Sequence, residues 1–232
     1  MSLKEIAARV ALNKSTTFGL VNTLVGLGYL QQNDSNQKYA LGTRLLSLSN
    51  LVKMNNIIIR LVHPHLEWLA HKYRETAHCA VENGDSITYI DKVESPGALN
   101  INTQIGTKNY MHCTGVGKCL LAYSSPSKQE QVLSGNFKTM TYNTITNAER
   151  LREELKKIRE QGYATDDEEI EIGLSCLAAP ILNTEGKAAF AISIAGLTQR
   201  IQGAQRDNMI ADLKTVAADI SRELFSPAQL GG

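Results

Sequence analysis

The first part of the chain places apolar residues at the spacing of two short helices. Residues 3–10 repeat Leu, Ile, Ala and Val at helical intervals, and Ser2 with Glu5 forms a capping-box sequence at their start. Asn13 is a suitable N-cap for a second helix at 15–27, in which three leucines share one face. The pattern predicts a helix, a turn and a second helix.

A hairpin and a longer helix follow. Gly28 ends the second helix, and strand-like runs at 29–31 and 38–41 flank a turn rich in Asn, Asp and Ser. Residues 43–62 then carry apolar side chains at helical intervals, with an interruption near Asn55. The hairpin is the predicted wing of a winged helix-turn-helix, and the helix after it is a predicted linker.

Beyond the linker, helical patterns are mixed with runs that have the two-residue period of strands. The predicted helices cover 64–75, 115–123, 148–161 and 205–225. The predicted strands cover 78–82, 86–93, 99–104, 176–182 and 188–195. This order favours an antiparallel α+β domain. The predicted division is a winged helix-turn-helix at 1–47, a linker helix at 48–62 and an α+β domain at 63–232.

The composition is that of a globular protein, with 43% hydrophobic and 20% charged residues. No run reaches the roughly 18 to 20 apolar residues that cross a bilayer, and the charged N-terminus lacks the apolar run of a signal peptide. We therefore expect a cytoplasmic protein with no membrane partner. The four cysteines have no CxxC spacing, which argues against a zinc ribbon or a disulfide framework.

Positive charge is concentrated near the N-terminus, where residues 1–50 contain five Lys or Arg and two Asp or Glu. Serine and threonine at the start of a second helix are more often caps than DNA contacts. The wing and the local basicity shift the balance toward DNA, because this helix start enters the major groove in helix-turn-helix proteins. The candidate DNA contacts are Lys14, Ser15, Thr16, Thr17, Phe18, Asn22 and Lys38.

Several motifs, in order, resemble one family of bacterial regulators. In the first part they are Ser2-Leu3-x-Glu5-Ile6-Ala7, Leu12-x-Lys14-Ser15-Thr16, Gly28-Tyr29-Leu30 and Lys38-Tyr39-x-Leu41-Gly42. In the second part they are Gly106, Thr114-Gly115-Val116-Gly117-Lys118, Arg159-Glu160-Gln161-Gly162-Tyr163 and Gly173-Leu174-Ser175-Cys176-Leu177-Ala178-Ala179-Pro180. Together they span nearly the whole chain and are similar to IclR-type transcriptional regulators.

The resemblance implies a GAF- or PAS-like effector domain that binds a small carboxylate without a cofactor. It also implies a homodimer or homotetramer that binds a double-stranded DNA operator, as a metabolite-responsive repressor of a catabolic operon. The effector-binding residues that it implies are Ile101, Gly115, Val116, Asp166, Leu174, Cys176 and Ser193. Without the resemblance, the favoured interpretations are that Asp166 caps a turn or helix and that Cys176 is a small core residue on a strand. Ala195 stands where relatives often have a second serine, which predicts a less polar or a different ligand.

The chain departs from the family pattern at its start. Relatives normally carry a further helix ahead of the Ser-Leu-x-Glu-Ile motif, packed behind the helix-turn-helix, whereas Met1 directly precedes the motif here. We therefore expect four apolar side chains to be exposed to water, namely Ile6, Val10, Leu20 and Leu24.

A second departure is Gly19, where relatives commonly have an arginine on the exposed face of the recognition helix. Glycine removes a cation near the DNA and costs about 1 kcal/mol of helix stability relative to alanine. Two explanations stay open. Either the DNA specificity differs and other residues compensate, or the chain is a ligand-binding protein that has lost DNA binding.

A thiol enzyme is a further alternative, because Cys176, His112 and Asp166 are residue types used in thiol catalysis. The sequence supplies no geometry that joins them, and no ligand spacing that supports a metal site. The prediction is therefore a binding protein and not an enzyme.

Overall fold

The computed structural model describes residues 1–48, 57–98 and 101–225. The chain divides into two compact units, Met1–Ile57 and Ile58–Gly232. The predicted break of the linker helix near Asn55 lies outside the described residues.

The N-terminal unit has the predicted order of two helices and a hairpin. It contains α1 (Leu3–Arg9), α2 (Lys14–Gly26), β1 (Leu30–Gln32), β2 (Tyr39–Leu41) and α3, whose described part is 44–48. The predicted caps are confirmed. Ser2 and Glu5 form a capping box, and Asn13 Oδ1 accepts a hydrogen bond from the amide of Thr16 at 2.8 Å.

Two glycines hold the hairpin against the end of α2. Gly28 has a φ of 77°, a left-handed conformation that favours glycine. A Cβ atom on Gly42 would lie 2.1 Å from the carbonyl oxygen of Gly28, so only glycine fits there. The amide of Gly42 donates to the carbonyl of Tyr29 at 2.8 Å. Gly28 and Gly42 therefore fix where the hairpin leaves α2.

The second unit is built around a six-stranded antiparallel sheet with the order β5-β4-β3-β8-β7-β6. Its strands are β3 (Thr76–Asn83), β4 (Ser86–Val93), β5 (Lys108–Tyr110), β6 (Ala164–Asp167), β7 (Leu174–Leu182) and β8 (Ala188–Leu197). Its helices are α4 (Ile57–Tyr73), α5 (Gly115–Ala122), α6 (Pro126–Leu133), α7 (Ala148–Gln161), α8 (Thr198–Ile201) and α9 (Arg206–Phe225). The predicted α+β class is confirmed.

The sheet separates two apolar layers, because successive residues of a strand point to opposite faces. On β7, Cys176 and Ala178 pack in the layer that contains α5 and α7, whereas Leu177 and Ala179 pack in the layer of α4 and α9. β8 alternates in the same way. Polar residues on the α5 side of these strands consequently face a buried space.

The predicted strand at 99–104 is wrong for its described part. Residues 101–104 have no regular structure, and the strand that pairs with β4 is β5, at Lys108–Tyr110. The carbonyl groups of Ile101 and Thr103 accept hydrogen bonds from Lys92 Nζ at 2.8 and 2.9 Å, which satisfies them outside a strand ladder. Only Ile101 of these four residues is apolar, and its side chain is buried.

The prediction that a helix begins at Pro64 is also wrong. α4 is already helical at Ile57 and continues through Pro64. Proline removes one helical hydrogen bond, but Val62 and Leu66 on either side of it are fully buried, and that packing favours continuation. β6 and α8 were not predicted, because each is only four residues long.

An ion pair is buried where α5 meets the loop after β6. Lys118 Nζ contacts Glu169 Oε1, and the two side chains are only 1% and 5% exposed. The Glu169 carbonyl also accepts a hydrogen bond from Thr144 Oγ1 at 2.7 Å. Burial acts to lower the pKa of Lys118, but the carboxylate beside it raises that pKa overall, so the lysine is charged at neutral pH. Each partner needs the other, because an unpaired buried charge is costly.

Lys118→Met should therefore lower the free energy of unfolding by about 3–5 kcal/mol, since Glu169 would be left buried without its cation. Urea denaturation followed by circular dichroism measures the loss. The double variant Lys118→Met with Glu169→Leu should recover most of it. Lys156→Met removes a lysine side chain that is 80% exposed on α7 and should have little effect. A Lys118→Met protein within about 1 kcal/mol of the parent chain would contradict the assigned pairing.

Candidate functional site

The start of α2 and the wing expose most of the predicted DNA contacts. Ser15, Phe18 and Asn22 are spaced by three and four residues, so they share one face of α2. Six of the seven predicted residues are exposed, namely Lys14, Ser15, Thr16, Phe18, Asn22 and Lys38. The seventh, Thr17, is buried, and its hydroxyl donates to the carbonyl of Asn13 at 2.8 Å. Thr17 therefore stabilises the turn and is not on the exposed face.

Gly19 lies on the exposed surface of α2, and a Cβ atom added there would meet nothing within 4 Å. Packing therefore does not exclude a larger side chain at this position. The expected exposure of apolar residues is confirmed for Val10, Leu20 and Leu24, while Ile6 is half-buried.

A small cavity lies in the second unit, between the sheet and the start of α5. Its volume is about 50 Å³, room for a few water-sized spheres. All seven residues predicted to bind the effector line it, namely Ile101, Gly115, Val116, Asp166, Leu174, Cys176 and Ser193. Ala195, which stands in the position of the relatives' second serine, lines the cavity as well. Six further lining residues were not predicted, namely His78, Tyr89, Thr103, Asn109, Thr114 and Ile170.

Strand register brings the distant lining residues together. Asp166 on β6 lies opposite Cys176 on β7, and Cys176 lies opposite Ala195 on β8. Ser193 lies opposite His78 on β3. His78 could have been identified from the sequence as a polar residue between the small and apolar residues Ala77 and Cys79, in the part of β3 that is buried. Asn109 gave no such signal, since β5 was not predicted.

The N-terminus of α5 points into the cavity. Thr114 caps this helix, because its Oγ1 accepts from the amide of Gly117 at 3.0 Å and donates to the carbonyl of Tyr110 at 2.7 Å. The amides of Gly115 and Val116 belong to the first turn and have no acceptor within the helix. These amides and the helix dipole favour a negatively charged group.

Gly115 is required for the close approach of α5 to the sheet. A Cβ atom on Gly115 would lie 2.8 Å from Cys176 Sγ and 3.2 Å from the Cβ of Ala178. Any other residue would push the helix start away from β7. The amide of Gly115 also hydrogen-bonds the Cys176 thiol, so the position of the first-turn amides depends on this glycine.

A loop covers the cavity and is held by two polar side chains. Lys92 Nζ binds the carbonyls of Ile101 and Thr103, as described above, and also pairs with Glu94. His78 Nε2 lies 2.7 Å from Thr103 Oγ1. The loop residues that face the cavity are therefore tied to β3 and β4.

Burial sets the protonation of the titratable lining groups. It lowers the pKa of His78 to about 3, assisted by the positive charge of Lys92, so this imidazole is neutral at pH 7. It raises the pKa of Asp166 to about 7, although Lys118 opposes the shift. It also raises the pKa of the Cys176 thiol to about 12, assisted by the charge of Asp166. At pH 7 the lining carries no formal positive charge.

The geometry does not support thiol chemistry. A thiol with a pKa near 12 is not a thiolate at neutral pH. His112, the proposed base, does not line the cavity, and its Nε2 lies 3.1 Å from the carbonyl of Lys138. Among the described residues, no three His, Cys, Asp or Glu side chains converge where they could hold a metal ion.

Comparison with known proteins matches both units of the chain to one family. The family model "Bacterial transcriptional regulator IclR C-terminal" matches residues 50–222, and "IclR helix-turn-helix domain" matches residues 1–34. The HTH-type transcriptional regulator KdgR of Escherichia coli is 34% identical over 97% of this chain and 86% of its own length. The Escherichia coli transcriptional repressor IclR is 31% identical over 87% of this chain and 74% of its own length.

A solved structure also matches along the chain. It is an IclR homolog from Microbacterium hydrocarbonoxydans in complex with 4-hydroxybenzoate, with a TM-score of 0.82 and 26% identity. The match covers 97% of this chain and 91% of that chain. Within the parts of the chain that the structure describes, no helix has the length and apolar character needed to cross a bilayer.

The raised pKa of Asp166 predicts a pH-dependent stability. In the unfolded chain a carboxyl of this kind loses its proton near pH 4, whereas the folded protein keeps it until about pH 7. The free energy of unfolding therefore falls as the pH rises from about 4 to about 7, and the loss is complete above that range. Asp166→Asn removes the titration and keeps an oxygen for the Glu169 amide, which Asp166 Oδ1 binds at 2.9 Å.

The melting temperature of Asp166→Asn should thus exceed that of the parent chain by a few degrees more at pH 8 than at pH 4.5. Thermal denaturation at the two pH values measures this difference. Asp167→Asn is the matched control, because Asp167 is the next residue of β6 and is exposed. An Asp166→Asn effect equal at both pH values would contradict the assigned burial of the charge.

Proposed function

This chain belongs to the IclR family of bacterial transcriptional regulators, and we propose that it is a repressor that releases or binds its operator in response to a small carboxylate. The observation that carries the proposal is the convergence of seven predicted residues on one cavity at the N-terminus of α5. The names of its relatives support repression, and the control of a catabolic operon is part of the same proposal.

The proposed DNA surface is the exposed face of α2 together with the wing. Lys14 and Lys38 are cations that can contact phosphates, and Ser15 and Asn22 can reach base edges from the first turns of the helix. We propose that a homodimer or homotetramer presents two such surfaces to a palindromic operator, because operator symmetry follows protein symmetry.

The proposed ligand site is the cavity. The α5 amides provide donors for a carboxylate, while Ile101, Leu174 and Tyr89 provide an apolar wall. A volume of about 50 Å³ suits a ligand of only a few non-hydrogen atoms. A ligand as large as the 4-hydroxybenzoate bound by the Microbacterium protein would require the covering loop or nearby side chains to move.

DNA binding can be tested by fluorescence anisotropy with DNA from upstream of this chain's own gene and with sites selected from a random pool. We expect sequence-selective binding that weakens as salt rises. Lys38→Ala should reduce the slope of log K against log salt by about 1, because one phosphate contact is lost. Lys156→Ala, which removes an exposed cation of the second unit, is the control. Gly19→Arg should steepen the slope by a similar amount, since there is room for the side chain.

Absence of any salt-dependent, sequence-selective binding would overturn the repressor proposal. If small carboxylates still raised the melting temperature, the chain would then be the ligand-binding protein without DNA binding that Gly19 and the exposed apolar residues of the N-terminal unit allow.

Ala195→Ser should change the preference of the cavity toward a more polar ligand. The new hydroxyl would line the cavity and could bind the hydroxyl of glycolate, which acetate lacks. One such hydrogen bond contributes about 1 kcal/mol, so the ratio of glycolate to acetate affinity should rise roughly fivefold. Isothermal titration calorimetry measures the ratio. Ala211→Ser, exposed on α9, serves as the control, and an unchanged ratio in Ala195→Ser would exclude this part of the cavity from ligand contact.

A further inference from the structure

We propose that a carboxylate ligand binds in the cavity together with one proton, which it shares with the side chain of Asp166. This inference rests on the proposed carboxylate function and adds its chemistry. The proton comes from solvent and forms one O–H···O hydrogen bond between the two carboxyl groups, with no other change in bonding.

Asp166 and the amides at the start of α5 lie in the wall of the same small cavity. Asp166 is 5% exposed and forms part of the cavity wall, and the α5 amides that suit a carboxylate form another part of the same wall. The amide of Glu169 already donates to Asp166 Oδ1 at 2.9 Å, which holds the carboxyl group in place. Because the cavity has room for only a few water-sized spheres, a bound carboxylate would contact the Asp166 carboxyl directly.

The described lining of the cavity contains no lysine or arginine. The positive charge of Lys118 on α5 acts to lower the pKa of Asp166, but the ammonium group of Lys118 is paired with Glu169. Lys92 on β4 points its ammonium to the carbonyls of the covering loop and to Glu94. Both ammonium groups therefore already have partners, and neither lysine is among the described residues that line the cavity.

The His, Tyr and Cys side chains around Asp166 are neutral at pH 7. His78 on β3 is uncharged, because burial lowers its pKa to about 3. Burial also raises the pKa of Tyr89 on β4, of Cys113 before α5 and of Cys176 on β7. Glu154 on α7 acts on the neighbouring Lys118 and Glu169 pair and adds negative charge only.

Two carboxylates in contact inside a protein cannot both stay ionised at neutral pH, and the pair holds a proton instead. The N-terminus of one helix carries a partial positive charge of about half an elementary charge. This charge stabilises one carboxylate but does not offset the repulsion between two. Asp166 starts near the point of protonation, because burial already raises its pKa to about 7, and a ligand carboxylate would raise it further.

Affinity should consequently depend on pH. Above about pH 7 the free protein must take up a proton in order to bind, so the association constant should fall close to tenfold for each pH unit. Below that pH the carboxyl group is already protonated, so the dependence should flatten. Lactamide, which is uncharged, should show no comparable fall.

The test is isothermal titration calorimetry of the full chain with lactate, glycolate and acetate at pH 6 and pH 8. At each pH, buffers with different enthalpies of ionisation give the number of protons taken up. We expect uptake close to one proton at pH 8 and a much smaller value at pH 6. Asp166→Asn should bind with no uptake and with an affinity that is the same at both pH values. Asp167→Asn, the exposed neighbour, should keep the parental proton count.

The outcomes separate this inference from the function on which it rests. Binding of lactate without proton uptake at pH 8, and with equal affinity at both pH values, overturns the shared proton and leaves the carboxylate function standing. Loss of binding at both pH values in a folded Asp166→Asn protein also overturns the shared proton, because the asparagine amide is a neutral donor like the protonated carboxyl group and should still bind the ligand. If none of the three carboxylates binds at either pH, the proposed function is overturned as well.

Discussion

Lys118 reaches from α5 to the loop after β6 and meets Glu169 there, with both side chains almost fully excluded from water. The pair ties the helix whose N-terminus faces the cavity to the segment that carries Asp166. Gly115, one turn earlier, lets the same helix approach Cys176. The ion pair and the glycine together therefore hold the first-turn amides of α5 and the carboxyl group of Asp166 in the wall of one cavity.

Much of the secondary structure could be predicted from the sequence because of its periodicity, whereas the buried pair of Lys118 and Glu169 was not predicted. Helix α7 was predicted with its observed bounds, because its apolar residues recur at helical spacing on a highly charged segment. The seven lining residues came from the resemblance to a family, not from spacing, and strand register explains why they meet. Cys176 and Ala195 are 19 positions apart in the chain and directly opposite one another in the sheet.

The errors have physical causes as well. The run at 101–104 has the residue types of a strand, but its carbonyls are satisfied by a lysine, which no local pattern reveals. Pro64 is a strong stop signal that tertiary burial overrides. The hydroxyl of Thr17 is of a type that can contact DNA, but it donates to the carbonyl of Asn13 at the start of the helix. Buried polar residues such as His78 were missed because their role depends on partners distant in sequence.

The hydrogen bonds of the covering loop bear on how long a ligand stays bound. Lys92 holds the carbonyls of Ile101 and Thr103 with two hydrogen bonds from a charged donor, and bonds of this kind contribute about 1.5–3 kcal/mol each. If the proposed metabolite enters and leaves past this loop, both bonds have to break each time. Lys92, which is not among the described lining residues, would then contribute to the residence time of the ligand, and so to the delay between a fall in metabolite and the response of the regulator.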